Sequence, residues 1–215
     1  MKKLSPPRSI GTKINLNPFF FKSLGSADPS SPYPITTSNP LILDSTYSDQ
    51  TKITSIRFYI GHVKLLKDSQ IIFEQPSYQL MDAEFPETLT IQTPTNISYN
   101  KISFSLGIDS ATNNQGALTG DLDPQNGMYW TWQSGYINLK LEGESKQPFT
   151  YHIGGYLIPF NTYRTVTLPM TFNKVYLPID IILQEILAVK SKIMSPCNIA
   201  MKFADLLSES FFTDL

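Results

Sequence analysis

The sequence predicts an all-β chain, an antiparallel β-sandwich closed by a C-terminal α-helix. Short apolar runs of period two recur along it, each with a polar opposite parity, the pattern of antiparallel strands with one face on a core. The composition of 16 Pro and 11 Gly in 215 residues supplies turns between them. A long apolar stripe at helical spacing is confined to the last stretch of chain.

All-β units of this length are commonly single domains, so residues 1–215 read as one. A 41 % hydrophobic fraction suffices for a substantial core, while only 16 % of residues are charged, well under the usual quarter. The formal net charge of -1 provides no basic field for nucleic acid or anionic lipid. The single cysteine, Cys197, excludes an internal disulfide framework and a Cys-cluster zinc site. No apolar run reaches the roughly 18 residues of a membrane-spanning helix. Lys2 and Lys3 lead directly into Pro6-Pro7 without an apolar segment, so no intact signal peptide is expected. That leaves a cytosolic protein or a mature exported chain.

In chain order, Ile14-Asn15-Leu16 alternates as a short edge strand that turns at Pro18. Residues 23–39, rich in Ser, Pro, Asp and Gly, read as a surface excursion. From Ile53 to Leu66 the apolar phase changes: Ile56, Phe58 and Ile60 share one parity, Val63 and Leu65 the other. One inserted residue at Gly61-His62 would put both sets on one face, so a β-bulge is expected there. His62 then sits at the irregularity, either as a hydrogen-bonded bulge residue or as a ligand. Alternation continues through Leu89 and Ile91, Ile102 to Ile108, Ile137 to Leu141, Phe149 to Ile153, Val166 and Leu168, and Val175 to Ile181. On this phasing His152 lies opposite Phe149, Tyr151 and Ile153. A helical turn is expected within Asp180 to Val189. The C-terminal helix has Ser195 as N-cap, Pro196 at its first position, and a stripe of Ile199, Phe203, Leu206, Leu207 and Phe211. Cys197 in its first turn reads as a small buried filler rather than a nucleophile.

Between strands lies a long connection, 109–135, containing both tryptophans, Trp130 and Trp132, with Asp109, Asp121 and Asp123 and no Lys or Arg. A long aromatic connection in a compact domain is usually functional. There is no Gly-x-Ser-x-Gly elbow, phosphate loop or dinucleotide fingerprint, so a hydrolase is unsupported and no enzyme is expected. Asp121-Leu122-Asp123-Pro124 fits tight turns as well as a hard-cation site with Asp109. Imidazole suits copper, which directs attention to His62 and His152.

The run Gly107-Ile108-Asp109-Ser110, then Gly120-Asp121-Leu122-Asp123-Pro124-x-Asn126-Gly127-Met128-Tyr129-Trp130-x-Trp132-Gln133-Ser134-Gly135-Tyr136-Ile137, Leu141-Glu142-Gly143 and Phe149 to Gly155, closely resembles the methanobactin-associated MbnP-like copper-binding family. Phe58 to Leu66 resembles its early strand motif. The resemblance implies an extracytoplasmic β-sandwich, periplasmic or at the cell surface, that binds copper through histidines and a tryptophan oxidised to kynurenine. It also implies a di-haem peroxidase-like partner for that oxidation. His152, with Trp130 and Trp132, matches the family pattern, and His62 is a further candidate ligand. Asp121 and Asp123 are then expected to orient the imidazoles. The rival reading is a structural or interaction module that presents the Trp-rich loop as a rigid surface.

Overall fold

A computed structural model of the protein describes residues 13–17, 41–42, 52–94, 97–131, 135–144, 148–170, 174–176 and 196–213. The excursion at 23–39, the helical turn expected within Asp180 to Val189, the cap at Ser195 and Trp132 lie outside these residues. The described strands are β1 (Lys13–Asn17), β2 (Leu41–Ile42), β3 (Lys52–Lys67), β4 (Gln70–Asp82), β5 (Thr90–Gln92), β6 (Lys101–Leu106), β7 (Tyr129–Trp130), β8 (Gly135–Glu144), β9 (Pro148–Gly154), β10 (Arg164–Pro169), β11 (Lys174–Tyr176) and β12 (Phe212–Thr213). Two α-helices accompany them, α1 (Ser110–Asn113) and α2 (Pro196–Ser210).

The strands form two sheets. The smaller runs β12-β11-β1-β5, with β1 and β11 parallel and the other pairs antiparallel. The larger is organised on β3. One edge of β3 pairs with β4 from Arg57 to Lys67. The opposite edge pairs first with β8, up to Phe58, and then with β6, from Ile60 onward. β9 continues from β8 and β10 from β6. β8 and β6 therefore diverge at Tyr59, whose carbonyl accepts from Gly107 N at 2.9 Å.

Ile56, Phe58, Ile60, Val63 and Leu65 of β3 all reach one core. Ile91 and Val175 meet them from the smaller sheet, Leu89 from the 3₁₀ turn (Pro86–Leu89) before β5, and Phe203, Leu206 and Leu207 from α2. Each of these large side chains contributes about 1.5–3 kcal/mol of apolar burial, so the sandwich and its helix form one packed unit. The expected helix is present, Pro196 opening it and Phe203, Leu206, Leu207 and Phe211 facing inward. Cys197 differs from expectation, because it is exposed on the first turn rather than filling the core.

The bulge lies where the phase change placed it. Pairing with β4 shifts register between Gly61 and Val63, and pairing with β6 between Gly61 and Lys64. His62 absorbs the extra residue with φ 49°, a left-handed backbone rare outside Gly but less so for Asn, Asp and His. Gly61 is required beside it: a Cβ there would come within 2.3 Å of the Tyr78 ring.

The large sheet is covered on its other face too. Residues 110–130 fold over it as α1, two 3₁₀ turns (Gly120–Leu122 and Pro124–Asn126) and β7. Leu122 and Met128 bury against Tyr59, Ile108, Tyr136 and Ile137, with Leu118, Tyr129 and Trp130 packed around them. This second core explains why β8 has successive buried residues, Gly135 to Leu139, instead of alternating. No helix among the described residues is long and apolar enough to cross a membrane.

Candidate functional site

The long connection is held by buried polar groups. Asp109 caps α1, its side chain accepting from Thr112 N at 2.7 Å. Asn113, at the end of α1, donates to the Ile108 carbonyl at 2.9 Å and accepts from Tyr136 N at 2.9 Å. Asn138 fills the divergence of β6 and β8, accepting from Ile108 N at 2.9 Å and donating to Thr162 Oγ1 at 2.8 Å. The Tyr136 hydroxyl accepts from Leu118 N at 3.0 Å and donates to the Leu122 carbonyl at 2.9 Å. Arg57 reaches across from β3, paired with Asp82 at 2.8 Å and donating to the Asn126 carbonyl at 3.3 Å. A backbone with this many fixed contacts presents its side chains in defined positions.

Trp130, on β7, lies against the end of β9. A Cβ added at Gly154 would come within 2.6 Å of Cζ3 of its indole. Ile153 is buried in the sandwich core, so by strand periodicity Gly154 and His152 share the opposite face. The Trp130 indole thus sits two residues along β9 from His152, on the face His152 occupies. His152 Nε2 lies 2.9 Å from Glu142 Oε1, and Lys140 Nζ lies 3.5 Å from the same oxygen. Burial pushes the Glu142 carboxyl up, but the hydrogen bond from His152 and the Lys140 charge outweigh it and hold its pKa below the usual value. The His152 and Glu142 side chains are each about one third exposed.

His62 occupies a separate place. Strand register aligns Arg57 with Lys140 and Lys140 with His152, and His62 is five residues farther along β3. That offset is about 16 Å along the strand at the usual rise. The two imidazoles predicted to share a metal are therefore not brought together. His62 Nε2 instead lies 3.0 Å from the Tyr78 hydroxyl and 3.3 Å from Asp109 Oδ2. Tyr78 donates to Asp109 Oδ2 at 2.7 Å. Burial pushes the Tyr78 phenol well up, while hydrogen bonds from Thr112, Tyr78 and His62 overcome burial to hold the Asp109 pKa down.

The expected orienting roles of Asp121 and Asp123 are replaced by structural ones. Asp121 Oδ2 accepts from Leu80 N, on the outer edge of β4, at 3.0 Å. Asp123 Oδ1 accepts from Gln125 N at 2.8 Å and caps the second 3₁₀ turn. With Asp109 capping α1, the three carboxylates serve three different amides, as their turn-forming reading requires. The partners of the histidines are Glu142 and Asp109. Among the described residues no three His, Cys, Asp or Glu side chains gather as a metal cluster. Sequence reasoning missed Glu142 and Tyr78: Glu142 stands among alternating strand residues without distinction, and Tyr78 lies on β4, which was not read as a strand.

The MbnP family profile matches residues 34–202. Among solved structures, MbnP from Methylosinus trichosporium aligns at 13 % identity with a TM-score of 0.43, over 59 % of this chain. The present chain covers 64 % of the length of that protein, less than two thirds. No curated protein sequence matches it. The profile match spans most of the 215-residue chain, including β3, the 110–130 connection and β9, and the chain belongs to the MbnP family.

Proposed function

We propose that the protein is a non-catalytic, extracytoplasmic copper-binding protein whose site lies on the outer face of β8 and β9, around His152. The observation that carries this reading is the position of Trp130. Its indole packs on Gly154, two residues along the same face from His152. This is the His and Trp pairing that the family resemblance implies for copper bound beside an oxidised tryptophan.

The residues present fit a copper ion in part. His152 Nε2 and Glu142 Oε1 offer one nitrogen and one oxygen within 2.9 Å of each other, a donor set suited to Cu(II). The Lys140 ammonium, 3.5 Å from Glu142 Oε1 on a side chain only 19 % exposed, opposes a cation and would have to be displaced for copper to bind. Further donors come from an oxidised tryptophan or from water. His152 and Glu142 would hold the ion, and the protein keeps the imidazole on β9 and the indole on β7. An oxidising partner of the di-haem peroxidase kind would approach Trp130 from the open side of this face. Metal analysis of the protein purified from its own source tests the reading. Copper near one per chain supports it, and a copper-free protein that takes up none when supplied with the metal counts against it.

A second reading has its own observation. Between β9 and β10, Leu157 and Ile158 are 64 % and 92 % exposed and Phe160 is 43 % exposed. This apolar loop adjoins the Trp-bearing connection through Ser110 Oγ, which donates to the Tyr156 carbonyl at 2.6 Å. A protein-docking role for the same end of the sandwich accounts for that exposure.

A further inference from the structure

The bulge on β3 gathers three donor atoms contributed by three separate elements. His62 Nε2, Tyr78 Oη and Asp109 Oδ2 form a triangle with sides of 2.7, 3.0 and 3.3 Å. An octahedral cation holding its donors at about 2.1 Å separates neighbouring donors by about 3.0 Å. The triangle therefore has the size of one face of a coordination octahedron.

Besides the contacts within the triangle, each donor is tied to its own element. His62 is fixed by its left-handed backbone, φ 49°, at the register shift. Tyr78 pairs with Gly61 and lies over it, where any Cβ would meet its ring. Asp109 spends Oδ1 on the Thr112 amide at 2.7 Å, which leaves Oδ2 aimed at His62 and Tyr78. Its own amide donates to Tyr78 Oη at 3.2 Å. The His62 and Asp109 side chains are 32 % and 29 % exposed, so both are in part reached by solvent.

We propose that His62, Tyr78 and Asp109 form a three-donor face for a ferric ion, with water or a small anion completing its coordination. The proposal is independent of the copper reading at His152. One imidazole nitrogen, one carboxylate oxygen and one phenolate oxygen suit a hard trivalent cation, and the two oxygens bring two negative charges. Binding replaces the phenol O–H bond with an iron–oxygen bond and releases one proton to solvent; no electron is transferred.

The test is titration of the full chain with ferric nitrilotriacetate, read by the visible phenolate-to-iron charge-transfer band and by iron retained after desalting. The wild type is expected to retain about one iron per chain and to develop the band. Tyr78→Phe should lose the band, and His62→Asn, which keeps a left-handed-tolerant residue at the bulge, should bind at least tenfold more weakly. His152→Ala should leave the band unchanged, which separates this site from the copper site. Thermal unfolding of each variant confirms that it is folded. Absence of the band in the wild type, or its persistence in folded Tyr78→Phe, would overturn the proposal. Copper uptake abolished by Tyr78→Phe without a ferric band would overturn the choice of metal.

Discussion

The indole of Trp130 rests on the backbone of Gly154, so close that a methyl group at position 154 would lie 2.6 Å from Cζ3 and 2.6 Å from the Tyr136 carbonyl oxygen. The Tyr136 contact is backbone and cannot move aside cheaply. Gly154→Ala should therefore destabilise the protein by about 1–3 kcal/mol, the usual cost of overpacking, and displace the indole. Urea denaturation followed by tryptophan fluorescence checks both effects, and an unchanged midpoint with an unchanged emission maximum would contradict the contact.

Tyr136 pins the covering connection to the sheet through Leu118 N and the Leu122 carbonyl. Tyr136→Phe leaves both groups without this partner beneath a buried ring and should cost about 1–3 kcal/mol. Amide exchange should accelerate first at Leu118, ahead of β3 and β6. Uniform acceleration across the sheet would instead mean that the hydroxyl supports the whole fold.

The left-handed backbone at His62 sets a clear order among substitutions. His62→Asn should stay within about 0.5 kcal/mol of the parent, because Asn tolerates this conformation, whereas His62→Val should lose about 1–3 kcal/mol through strain. Thermal unfolding of the two variants side by side is sufficient. Equal stability of both would show that the bulge relaxes.

Tyr59 and Tyr136 meet edge to face at 6.0 Å between ring centres. Burial raises both phenol pKa values, with smaller contributions from Asp121 and Tyr136 for Tyr59 and from Tyr129 and Asp123 for Tyr136. Because the folded values lie above the unfolded value of 10.0, the associated stability is present in full below pH 10 and is lost as pH rises toward the folded values. Spectrophotometric titration should therefore show Tyr59 and Tyr136, together with Tyr78, among the tyrosines that ionise only on alkaline unfolding. Early, reversible ionisation of every tyrosine would contradict this burial.

The fold was legible where alternation is simple. The opposed parities of Phe58 and Val63 revealed a bulge that the structure places at His62. β4 carries no clear alternation, because Ile71, Ile72 and Phe73 are consecutive and Pro76 interrupts the run. It is an edge strand, where proline is tolerated. β8 was readable as a strand, but Tyr136 and Asn138 gave no sign that its second face is also buried, since that depends on the covering connection. The candidate site was legible as residue types only. His152 stood out by its chemistry, while its partner Glu142 depends on a diagonal across two strands whose register a single sequence does not reveal. His62 and His152 are the two histidines of the chain, which alone suggests a shared site, and the five-residue offset along β3 separates them.

The copper site proposed at His152 lies on the face carrying Trp130. Its most direct test is Cu(II) titration followed by electron paramagnetic resonance, comparing the parent with His152→Ala and His62→Asn at one pH. Nitrogen hyperfine structure is expected in the parent and in His62→Asn, with at least tenfold weaker binding and loss of that nitrogen signature in His152→Ala. Binding by His152→Ala as tight as the parent's, with the same nitrogen signature, would contradict it.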